Sequence, residues 1–127
     1  MGPEAKLYQK VKRNFNGFSL TRVETLSSLG HPDILGYNTN RHFFTIELKV
    51  TKSKKVRFSP HQIAFHLRHP KNTFILVQAL GPCTPNTSSI SMYRGSRIRA
   101  LVASGLMLDA CCLGLDACRL MLSELGA

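Results

Sequence analysis

The sequence predicts an α/β fold: a mixed central sheet of about five strands, in the element order αβββαβ, with a C-terminal helical tail. Three observations carry this prediction. Arg41 to Val50 alternates with period two, Phe44, Ile46, Leu48 and Val50 being apolar while Thr45, Glu47 and Lys49 share the other face. Thr73 to Leu80 is almost wholly apolar, the mark of a central strand buried on both faces. Between them lie several helix-start signals together: Ser59 for the N-cap, Pro60 for the first helical position and Gln62 to complete a capping box.

The remaining elements follow in order. Leu7, Val11 and Phe15 recur at four-residue spacing and predict a helix from about Pro3 to Asn14, with Glu4 at the N-terminal end of its apolar stripe. An acid there also complements the helix dipole. Asn16-Gly17 marks a turn, Phe18 to Leu26 a first strand, and Asp33 to Tyr37 a short second strand after a loop ending at Pro32. Asn38-Thr39-Asn40 turns the chain into the long third strand. Thr51 to Arg57 is a basic loop; the helix begun at Ser59 carries Ile63 and Leu67 inward and stops before Pro70. Ser88 to Tyr93 reads as a fifth strand at the sheet edge.

Leu106 to Leu125 is different in kind, apolar apart from a few positions. Leu108-Asp109-Ala110-Cys111 recurs seven residues later as Leu115-Asp116-Ala117-Cys118, which sets Asp109, Asp116 and Ser123 on one stripe. The length could suit a membrane span, but Asp109, Asp116, Arg119 and Glu124 argue against one. Such a helix has more apolar surface than a small sheet covers, so packing against a second copy is expected. The alternative is a helix folded back on its own sheet and broken at Gly105 and Gly114. The chain of 127 residues thus reads as a single domain, with a core at about 3–93 and a packing or dimerisation segment at about 95–125.

Charge narrows the function. Seventeen Lys and Arg against seven Asp and Glu give a formal net charge of +10, which calls for a polyanionic partner. The first 80 residues carry 13 basic and 4 acidic side chains, the last 47 only 4 and 3, so the binding surface belongs to the N-terminal two thirds. The start of the chain has no export signal pattern, so a cytoplasmic protein with free thiols at Cys83, Cys111, Cys112 and Cys118 is expected. Neither the spacings of His31, His42, His61, His66 and His69 nor those of the cysteines match a common zinc pattern.

The four acids before the split are Glu4, Glu24, Asp33 and Glu47. A carboxylate within a surface that attracts phosphates works against it unless it holds a divalent cation. Asp33 and Glu47 fall on strands joined by a tight turn and can converge, and Lys49 shares the face of Glu47. Two carboxylates with a lysine suit metal-assisted phosphodiester hydrolysis: the acids take Mg²⁺, and the lysine orients the nucleophile or neutralises the transition state.

Gly30-His31-Pro32-Asp33, Ile46-Glu47-Leu48-Lys49 and Ser59-Pro60-His61-Gln62 together resemble the PD-(D/E)XK nuclease signature. More narrowly the set is similar to the virus-type replication-repair nuclease (VRR-NUC) modules and the archaeal-type Holliday-junction resolvases, over roughly residues 4 to 80. The resemblance implies a restriction-endonuclease-like core, Asp33 and Glu47 as metal ligands, Lys49 as the catalytic lysine and Gln62 as a supporting residue. It also implies an acid on the first helix, matched by Glu4. Glu24 competes for that role, its plainer reading being an ion pair with Arg22. A bacteriophage source, and hence a host cytoplasm, is a further expectation from this group. A four-cysteine iron–sulfur cluster, which some of the superfamily carry, is not expected, because all four cysteines here follow the motifs.

The expected activity is Mg²⁺-dependent DNA endonuclease action, Mn²⁺ substituting, on four-way junctions and as a homodimer through the C-terminal helix. Lys52, Lys54, Lys55 and Arg57 would grip backbone phosphates beside the cut. Two other readings stay open: a site-specific or nicking endonuclease of the homing type, and a basic nucleic-acid-binding module without catalysis.

Overall fold

The computed structural model describes residues 2–23, 32–80, 90–106 and 110–127. Its elements are α1 (Pro3–Asn14), β1 (Ser19–Arg22), β2 (Ile34–Tyr37), β3 (Phe43–Thr51), α2 (Pro60–Arg68), β4 (Thr73–Ala79), β5 (Ile90–Arg94), a 3₁₀ turn (Gly95–Arg97), α3 (Ile98–Ser104), β6 (Cys112–Leu113) and α4 (Leu115–Ser123). The strands form one mixed sheet in the order β1-β2-β3-β4-β5-β6. β3 and β4, joined across α2, are parallel, and the other neighbours are antiparallel.

Side-chain alternation along β3 and β4 sorts the core into two layers. On one face Leu7, Tyr8 and Val11 of α1 and Cys118 and Leu122 of α4 pack with Ile34, Phe44, Ile46, Leu48, Phe74 and Leu76. Leu7 and Val11 are fully withdrawn from water, each worth about 1.5–3 kcal/mol. On the other face Ile75, Val77 and Tyr93 meet Ile98 and Leu101 of α3, with Val56 and the partly buried Ile63 of α2. The layer structure is α/β/α, with β4 buried along its whole length as its apolar run requires.

Two sequence expectations change here. The tail is not one long helix. Gly105 (φ +73°) and Gly114 (φ +85°) adopt backbone conformations that L side chains avoid, and a Cβ at Gly105 would meet the carbonyl of Lys54. α3 ends at Gly105 and α4 begins only after Gly114, and between them the chain adds the short strand β6 to β5, which is therefore not the edge. α4 then returns over its own sheet, burying Cys118 and Leu122 and leaving Leu113 and Leu120 more than half exposed. Asn38 fastens that return: its Nδ2 donates to the carbonyls of Leu122 (2.8 Å) and Leu125 (2.9 Å), and its Oδ1 accepts from the backbone of Asn40 and His42. Asp109 lies outside the described residues. The second change is in α2, where Leu67 is exposed and His66 takes the fully buried place. No helix among the described residues is long and apolar enough to cross a membrane.

Candidate active site

The β2–β3 register brings the two acids together. Ile34 pairs with Ile46 in an antiparallel ladder, so one further step sets Asp33 opposite Glu47, both turned to the α2 side. Asp33 Oδ2 accepts a 2.7 Å hydrogen bond from the backbone N–H of Leu48, which fixes its carboxyl against β3. Glu47 is 2 % exposed. Lys49, two residues on, projects from the same face and lies over the Phe58 ring at 4.9 Å.

Gln62 joins these parts. Its Oε1 accepts from Lys49 Nζ (3.0 Å) and from the backbone N–H of Ser59 (2.9 Å), and its Nε2 donates to Glu47 Oε2 (3.2 Å). Ser59 Oγ accepts in return from the N–H of Gln62 (3.1 Å). One side chain thus closes the capping box that starts α2 and orients both Glu47 and Lys49, so the structural and site readings of Gln62 hold together.

The electrostatics is that of crowded acids whose burial and mutual repulsion outweigh the nearby Lys49 charge. Burial pushes the Glu47 carboxyl up to about 10, reinforced by a hydrogen bond with Asp33 and the charges of Asp33 and Glu4, against the opposing pull of Lys49. Glu47 Oε1 is buried and has no hydrogen-bond partner. A buried acceptor facing a second carboxylate is the environment a hard divalent cation relieves. The pair Asp33 and Glu47 therefore fits such an ion. Glu4 enters from α1, on the opposite face of the sheet, and stands exposed at the rim. Its pKa is raised by partial burial and then by Asp33, with Lys49 and Arg22 pulling the other way. Among the described residues no group of three or more His, Cys, Asp or Glu side chains is gathered as a metal site, so the acids in mutual contact are a pair rather than a triad.

A pocket of about 330 Å³ opens beside Lys49, lined by Glu4, Thr51, Lys52, Ser53, Lys55 and Arg57 among others. Its basic loop is ordered rather than free. Thr51 Oγ1 accepts from the backbone of Ser53 and donates to the Lys55 carbonyl (2.7 Å), and the Leu80 and Leu106 N–H groups hold the carbonyls of Thr51 and Lys54, each at 2.7 Å. Lys52, Lys55 and Arg57 face the pocket; Lys54 does not line it, its backbone being turned to the segment after α3. Sequence reading missed Phe58 beneath Lys49, whose only signal is its place between the basic run and the capping box. Arg22, read from the sequence as a partner for Glu24, lies over the Tyr8 ring at 5.2 Å; Glu24 itself, like His31 and Cys83, is outside the described residues.

No protein-family profile matches the chain, and no curated protein matches its sequence. Its fold is similar to that of Hjc, a Holliday junction resolvase from the archaeal hyperthermophile Archaeoglobus fulgidus, with a TM-score of 0.50 and 18% identity over 73% of this chain and 74% of that one. The fold is resolvase-like. At that identity the likeness concerns architecture, and the chemistry must be argued from the side chains themselves.

Proposed function

We propose that this chain is a divalent-metal-dependent endonuclease of the PD-(D/E)XK type that cuts DNA phosphodiester bonds, with four-way junctions as its substrate and a homodimer as its working form. One observation carries the catalytic reading: the buried Glu47 carboxyl faces Asp33 with Oε1 unpaired, beside the ammonium of Lys49.

Asp33 and Glu47 would hold the cation, Mg²⁺ or Mn²⁺, which when bound neutralises the acids and supplies Lewis acidity toward the scissile phosphate. The other contributions belong to the chain. Gln62 keeps Glu47 and Lys49 in fixed relative positions, so neither reorganises as charge develops. Lys49 has three N–H donors, one of them given to Gln62, and its positive charge opposes the negative charge growing on phosphorus. Glu4 at the rim would complete a second metal position. Lys52, Lys55 and Arg57 around the adjoining pocket position backbone phosphates, with Lys54 further out, a grip without sequence preference that weakens with salt.

The junction preference is supported by the resolvase-like fold, the archaeal protein of similar fold being a Holliday junction resolvase. Dimerisation is supported by the exposed Leu113 and Leu120 on β6 and α4; a two-fold dimer would present two such sites to opposed strands. The test is cleavage of a labelled panel (four-way junction, flap, linear duplex, single strand) with Mg²⁺, alongside the chain's mass in solution. Paired symmetric nicks in the junction by a dimer are expected. Cutting of one duplex sequence alone would favour the site-specific alternative, and binding without cutting would leave a basic nucleic-acid-binding module.

A further inference from the structure

Away from the acids, sulfur atoms crowd where β6 meets α4. Cys112 Sγ donates toward Cys118 Sγ at 3.3 Å, and Cys111 Sγ and Met121 Sδ each lie 3.9 Å from Cys112 Sγ. Cys118 is fully buried, Cys112 half-buried and Cys111 exposed, all as free thiols. Cys112 stands on the edge strand and Cys118 in the second turn of the helix. The pair thus bridges the two elements of the tail that Gly114 separates. Closing its sulfurs to about 2.05 Å needs a movement of little more than 1 Å.

We propose that Cys112 and Cys118 form a reversible disulfide that fastens α4 to the sheet edge under oxidising conditions. The oxidant is hydrogen peroxide. Cys112 sulfur attacks the peroxide, an S–O bond forms as the O–O bond breaks, and one water leaves. Cys118 sulfur then attacks that sulfur, the S–S bond forms as the S–O bond breaks, and a second water leaves. The two thiols lose two hydrogens and two electrons, and hydrogen peroxide is reduced to two waters. The hydrogen bond with Cys112 and burial raise the Cys111 thiol, and at Cys112 the downward pull of Cys111 is outweighed by Cys118 and burial, so both stay protonated near neutrality and the reaction quickens as pH rises. The vicinal pair Cys111–Cys112 is the weaker partnership, being further apart and adjacent in sequence.

The test uses the full chain with Cys83→Ser, treated with hydrogen peroxide and measured by intact mass without reductant. Loss of two hydrogen atoms, reversed by dithiothreitol, is expected; it should persist in Cys111→Ser and vanish in both Cys112→Ala and Cys118→Ala. Oxidation should also raise the melting temperature by about 5 °C or more, from the small loop it closes. A loss that survives Cys118→Ala, or gain of oxygen in place of the loss, overturns the proposal. So does a loss that disappears in Cys111→Ser.

Discussion

Replacing Glu47 by Gln tests whether this carboxyl is held for a cation. Burial, and then Asp33, pushes the Glu47 carboxyl up to about 10 from its ordinary value of 4.5. A raised folded pKa contributes stability that is full below pH 4.5 and lost as pH climbs toward 10, because the unfolded chain releases the proton first. Between pH 4.5 and 7.5 the loss is up to about 4 kcal/mol, at 1.36 kcal/mol per unit. Gln has the same shape, still accepts from Gln62 and can still donate to Asp33, but cannot ionise. In EDTA, Glu47→Gln should therefore melt about 5–10 °C above the wild type at pH 7.5 and match it near pH 4.5. Mg²⁺ should raise the melting temperature of the wild type and not of the variant. Differential scanning calorimetry from pH 4.5 to 9, with and without Mg²⁺, decides. A wild-type curve in EDTA that does not fall with pH, or a variant no more stable at pH 7.5, would show that Glu47 is not held against ionisation.

Three other outcomes follow from the same structure. Gln62→Ala should cost about 1–2 kcal/mol of stability in urea unfolding, from the lost cap, and lower cutting at least tenfold by freeing Glu47 and Lys49. His66 is buried with neither ring nitrogen hydrogen-bonded, and burial, then His69 and Lys49, lowers its pKa to about 4. Its contribution is full above pH 6.5 and falls by up to about 3 kcal/mol as pH drops to 4; His66→Leu should flatten that acid loss in thermal melts. Joint neutralisation of Lys52, Lys55 and Arg57 should reduce the slope of log affinity against log salt by about 2–3 in filter binding, while cutting at saturating DNA survives.

The site was more legible in the sequence than the tail. Period-two alternation along 43–51 fixes which side of the sheet Glu47 and Lys49 share, and the short turn at Asn38 sets the register that brings Asp33 opposite, so local patterns suffice to place these groups together. Gln62 was readable twice, as cap and as site residue, because one side chain makes both sets of bonds. The tail failed as a single helix because its apolar pattern is compatible with helix throughout, whereas the backbone angles at Gly105 and Gly114 are set by contacts with the basic loop and with β5. His66 was unreadable for a similar reason: Leu67 is the better apolar residue, but α2 packs on the 3₁₀ turn and α3, and the place beside Gly95 falls to His66. The separation of Lys54 from its basic neighbours depends on a tertiary bond from Leu106 that no local pattern announces.

If Asp33 and Glu47 together hold the cation that cuts phosphodiesters, Asp33→Asn removes half of that site. Asn keeps an oxygen for the Leu48 N–H, so the fold should survive while a charged ligand is lost. The measurement is nicking of a labelled four-way junction in Mg²⁺ by wild type and variant, with circular dichroism to verify folding. The wild type should cut in a way that EDTA abolishes, and the variant should fold and bind the junction while its rate falls at least a hundredfold. Equal cutting by Asp33→Asn, or no metal-dependent cutting by a wild type that binds the junction, would contradict that role for the pair.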